Sequence, residues 1–75
     1  MAQWELHERR SQWDIRRDGV LQLSTDIVRA LRYVAEHVAD DDVVRLRYRN
    51  GSSGPMMMGD GFRAMVARRA DEGSS

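Results

Sequence analysis

The chain has no cysteine, no lysine and a single proline among its 75 residues. Without cysteine no disulfide can hold so short a chain, and there is no thiolate to bind a metal or act as a nucleophile. The two histidines, His7 and His37, fall on different predicted elements and do not make up a metal set. Net charge is also missing, because twelve arginines are cancelled by twelve aspartates and glutamates. No overall field therefore steers the chain towards nucleic acid, and any such surface must be local. Long apolar runs are absent too, and none approaches the ~20 residues of a membrane helix. Glu5 carries a charge too early for a secretory leader. These absences lead us to expect a cytoplasmic protein with no membrane segment, no metal and no cofactor. A domain of this size buries only roughly 60% of the surface its unfolded chain exposes, so packing or self-association must stabilise it.

Alternation and turn chemistry dominate the first third of the chain. Trp4 and Leu6 alternate with Glu5 and His7, and Trp13 and Ile15 with Asp14 and Arg16. Asp18-Gly19 then separates the second run from Val20, Leu21 and Leu23, which is a strong hairpin signal. Strands are predicted over Gln12–Arg17 and Val20–Leu23. Gln3–Arg9 is either a further strand or an N-terminal arm. Ile27, Leu31, Val34 and Val38 follow at spacings of four, three and four, one face of a helix predicted from Thr25 to Val38. Ser24 is the expected N-cap, with Leu23 and Val28 as a hydrophobic staple. Asp40-Asp41-Asp42 opposes the helix dipole and reads as a polar loop. It lacks the alternate ligands and turn glycine of a calcium loop.

Val43–Arg49 alternates sharply, with Val44, Leu46 and Tyr48 on one side and Val43, Arg45, Arg47 and Arg49 on the other. Asn50–Pro55 has turn composition, and Met56-Met57-Met58 follows as a short strand or an apolar patch. Phe62–Arg69 is rich in helix formers, yet Phe62, Ala64 and Val66 also alternate in a strand-like way. The resulting class is α+β: a small antiparallel sheet, made of the N-terminal hairpin and two or three C-terminal strands, with one amphipathic helix on one face. Residues 1–11 are the strand or arm, 12–69 the domain, and 70–75 a disordered tail.

No catalytic constellation emerges. Gly59-Asp60-Gly61-Phe62-Arg63-Ala64 spells a dinucleotide fingerprint, but too few residues follow it for the second strand and acidic partner that motif needs. The histidines have no companion nucleophile, and no serine lies in a nucleophile elbow. Two binding candidates remain. Arg45, Arg47 and Arg49 would form a basic stripe able to meet phosphates, or a solvated face paired with a neighbour such as Asp14. Met56, Met57 and Met58, with Met65, would form an adaptable apolar contact surface, or fill the core.

From Trp13 to Arg69 the chain resembles the last repeat of the bacterial replicative sliding clamp, the β subunit of DNA polymerase III. The matching segments are Gly19–Ser24, Asp26–Leu31, Asp42–Leu46, Gly54–Met58 and Phe62–Arg68. Ala64-Met65-Val66-Ala67-Arg68-Arg69 keeps the methionine and first arginine of the family's closing segment but lacks its proline and terminal leucine. The resemblance implies that Phe62–Ala67 is a strand. It also implies a non-catalytic module acting through protein contacts in DNA replication or its regulation. The partner would be another protein or a second copy, met at Met56, Met57, Met58 and Met65. The alternative is a nucleic-acid-binding regulator using Arg45, Arg47 and Arg49.

Overall fold

The computed structural model describes residues 1–73, with side chains through Arg69. Five strands, β1 (Gln3–Glu8), β2 (Trp13–Arg17), β3 (Val20–Thr25), β4 (Val43–Arg47) and β5 (Ser53–Met58), are joined by two helices, α1 (Ile27–His37) and α2 (Gly59–Gly73). The sheet order is β3-β2-β1-β4-β5. The α+β class is as expected. Three pairings are antiparallel, but β1 and β4 run parallel at the centre, so the sheet is mixed.

Gln3–Glu8 is thus the middle strand rather than an arm. Trp4 and Leu6 are buried beneath the helices, while Glu5 and His7 look out of the opposite face. The β2–β3 turn is a tight hairpin in which both Asp18 (φ 51°) and Gly19 (φ 83°) take positive φ. That geometry suits the twist of the flanking strands, and Asp-Gly supplies it at little steric cost.

Helix α1 begins later than the sequence suggests. Its N-cap is Asp26, whose carboxylate accepts the N–H of Arg29 at 2.9 Å. Ser24 instead stays in β3 and donates its hydroxyl to Asp14 at 2.7 Å. With the cap shifted by two residues, Val28 is left on the exposed side rather than stapled to Leu23. Ala30, Leu31, Val34 and Val38 do face the core.

The closing segment is helix, which corrects the strand expected over Phe62–Ala67. Phe62, Met65 and Val66, spaced three and four apart, pack inwards, whereas Ala64 is exposed. The strand-like alternation was carried by alanine, which is indifferent to burial. Helix α2 also continues to Gly73, through most of the tail expected over 70–75; residues 74 and 75 of that tail lie outside the described residues. Both helices cover the same face: α1 lies over β2 and β3, α2 over β4 and β5, and the two touch. Trp4, Leu6, Ile15, Val34, Val44 and Phe62 close the core between them. Among the described residues no helix is long and apolar enough to cross a membrane.

At the start of β1 the buried Asp42 fastens three segments. Its carboxylate accepts the N–H groups of Ala2 (2.7 Å) and Ala39 (2.9 Å) and the indole N–H of Trp4 (3.1 Å). Its backbone carbonyl accepts the N–H of Gly59 at 2.8 Å. The polar loop expected at Asp40–Asp42 is therefore exposed only in part: Asp40 pairs with Arg63, and Asp42 is a structural anchor.

Candidate functional site

With both helices on one side, the other face of the sheet is uncovered. The strand registers decide which side chains meet on it. Glu5 lies between Arg16 of β2 and Arg45 of β4, and His7 between Asp14 and Arg47. Arg45 is opposite Met56, and Val43 opposite Met58. Two separate sequence candidates, the arginine stripe and the methionine run, therefore join in one patch. Arg45 reaches across to the Met56 sulfur at 3.6 Å. A shallow hollow lined by Gln3, Glu5, Val43, Arg45 and Met56 sits within it.

The candidate residues do not all arrive there. Met56 and Met58 are 62% and 46% exposed, but Met57 points to the helix side and packs against the core with Met65. This is the alternation of a strand, and it removes Met57 and Met65 from the expected contact surface. Arg49 also leaves the stripe, because β4 ends at Arg47 and Arg49 lies in the following turn. There its backbone N–H donates to Glu8 at 3.0 Å. Val43 shares the β4 face of Arg45, and Glu5 and Arg16, which the sequence does not place beside it, complete the patch. Their outward alternation was visible; that they stand beside Arg45 required the strand order.

The electrostatics are partly balanced. Arg47 holds Glu5 at 3.0 Å, and His7 Nε2 is 2.8 Å from the same carboxylate oxygen. The His7 hydrogen bond, with help from the Arg47 charge, holds the Glu5 carboxyl below its ordinary range. Asp14 is not the stripe's partner: the Ser24 hydroxyl and Arg9 (3.1 Å) engage it and lower its pKa. Arg16 and Arg45 keep no carboxylate partner within ion-pair distance among the described residues. The patch is thus mildly cationic, with a methionine and valine border. Among the described residues no group of three or more His, Cys, Asp or Glu side chains is arranged to hold a metal ion.

No protein-family model, curated protein or solved structure matches the chain.

Proposed function

We propose that the protein is a non-catalytic interaction module that holds another protein on the uncovered sheet face. The observation that carries this reading is the register of β4 and β5, which sets Arg45 against Met56 and Val43 against Met58 on a face no helix covers. Unbranched methionines adapt to a partner's apolar side chains, and guanidiniums pair with carboxylates in a defined fork. The complementary partner is an extended or helical segment carrying acidic and apolar side chains. Nucleic acid fits less well. Glu5 lies between Arg16 and Arg45, Arg49 is elsewhere, His7 is engaged with Glu5, and among the described residues no tryptophan, tyrosine or phenylalanine ring is offered on this face for base stacking. Action in the cytoplasm and a role in DNA replication or its regulation rest on composition and on the clamp-repeat resemblance. That resemblance implies a strand over Phe62–Ala67, where the structure has α2.

Photo-crosslinking tests the reading. A crosslinking residue at position 56 or 58 should capture a protein through an acidic, apolar segment in lysate of the source cells. The adduct should be lost on Arg45→Glu, which leaves the core untouched. The same residue at the exposed position 28 on α1 should capture nothing comparable. Adducts with nucleic acid, or equal capture from position 28, would overturn it.

A further inference from the structure

The parallel pair β1 and β4 parts at its carboxyl end. The chain leaves β1 towards β2 on one side and leaves β4 towards β5 on the other. Beyond those ends the β1–β2 and β4–β5 turns stand side by side around an open crevice. Two adjoining hollows occupy that place here. One is lined by Arg9, Arg10 and Ser11 of the β1–β2 turn together with Asp14, Ser24 and Arg49. The other is lined by Tyr48, Arg49, Asn50 and Ser52 of the β4–β5 turn, and Glu8 borders both.

The charges around this crevice do not cancel. Arg9, Arg10 and Arg49 face Glu8 and Asp14. Asp14 is already occupied, with one oxygen accepting from Ser24 and the other from Arg9. One Glu8 oxygen accepts the backbone N–H of Arg49, which draws the two turns together. The guanidinium groups of Arg10 and Arg49 make no ion pair and no hydrogen bond among the described residues. Arg10 and Arg49 come from two different turns and both line the first hollow. A carboxylate ligand satisfies one such fork; a phosphate, with three terminal oxygens and up to two negative charges, can engage both.

We infer that the crevice is a phosphate-monoester site, in which Arg10 and Arg49 hold the phosphoryl oxygens from opposite sides. Arg9 is shared with Asp14 and adds charge at the rim. Tyr48, 38% exposed and edge-on to Trp13 at 6.0 Å, lines the adjoining hollow beside Arg49, where a flat substituent such as a base would sit. The site is separate from the sheet-face patch and does not depend on it.

Amide and arginine side-chain NMR of the full chain tests this, with inorganic phosphate, adenosine 5′-monophosphate and acetate as probes at low ionic strength. Both phosphate probes should give saturable shifts at residues 9–12 and 49–52, and acetate should give far weaker ones. Arg10→Gln and Arg49→Gln should each weaken phosphate binding about tenfold or more, as loss of a charge-assisted hydrogen bond does. Arg32→Gln, an exposed arginine of α1, should leave it unchanged. Tighter binding of the nucleotide with shifts of the Tyr48 ring assigns the site to nucleotides, and equal binding of the two phosphates assigns it to simple phosphate groups. Absence of saturable shifts with either phosphate probe, shifts centred on Arg45 and Arg47, or undiminished affinity in both glutamine variants would overturn the inference.

Discussion

Asp42 shows how much one buried side chain can hold. The N–H of Ala2 is the main cause, with the N–H of Ala39 and the Trp4 indole assisting against desolvation, that lowers its pKa from 3.8 to about 2. A depressed folded pKa contributes stability that is present above the unfolded value and lost as pH falls through the folded one. The window therefore lies between about pH 4 and pH 2, and the contribution is about 2 kcal/mol. Asp42→Asn should remove it and set an amide NH2 against a backbone N–H, costing at least about 2 kcal/mol at neutral pH. Urea unfolding followed from pH 5 to pH 2 should show a shallower acid limb for the variant than for the parent. Gly59 makes a second local demand. A Cβ there would stand 1.9 Å from the carbonyl oxygen of Ala39, and backbone cannot swing aside. Gly59→Ala should cost about 3 kcal/mol or more, at the upper end of overpacking. Gly61, two residues on in the same helix, has open space around its would-be Cβ. Gly61→Ala should instead gain ~0.5–1 kcal/mol, since alanine is the better helix former. Thermal melts of the two variants should move in opposite directions. Neither role is legible from letters alone. Asp40, Asp41 and Asp42 look alike until the chain brings Ala2 and Trp4 beside the last of them.

Among elements, those with a self-contained pattern were the most legible. Helix α1 carries its own stripe, and the β2–β3 hairpin carries its own turn, so both could be placed from the sequence to within about two residues. The start of α1 slipped because Ser24 and Asp26 are both good caps, and Asp14 across the hairpin claims the serine. Helix α2 was harder, since alanines at 64 and 67 fit either period. The deciding residues are Phe62, Met65 and Val66, which share a face only in a helix. Phe62 has no exposed surface and lies in the same core as Val34 and Val44, whereas Met65 and Val66 are only partly buried. Phe62→Ala should therefore cost ~3–5 kcal/mol. That is a large share of the about 4–11 kcal/mol expected for a domain of this length. Chemical denaturation should show this drop in one cooperative transition. A drop below about 1 kcal/mol would mean that α2 contributes little to the core.

On the scale of the whole molecule, the central fact is a pairing that no local pattern contains. The alternation of Trp4 and Leu6 with Glu5 and His7 gives the faces of β1 but not its neighbours. Its partners are β2, which follows it directly, and β4, about forty residues later. That second pairing forms only because α1 carries the chain back across the sheet. The same non-local step explains why the sheet-face patch reads in the sequence as two unrelated candidates and why the crevice has no signature there. Arg45 meets Met56 through a register interrupted by a bulge, and Arg49 joins Arg9 and Arg10 because parallel strands end side by side. If β1 is the bridge, the remainder of the chain consists of a β2–β3 hairpin with α1 and a β4–β5 hairpin with α2, sharing no strand pairing. Deleting residues 1–8 would remove Trp4 and Leu6 from the core together with two of the three donors to the Asp42 carboxylate. Each half alone falls short of the roughly 40 residues below which a chain without disulfide, metal or partner rarely folds. The shortened chain should show collapsed amide dispersion and no sigmoidal heat transition, and a synthetic peptide of residues 1–9 added in trans should restore both. A shortened chain that still melts cooperatively with dispersed amide signals would show that β2–β3 and β4–β5 can find each other without the strand between them.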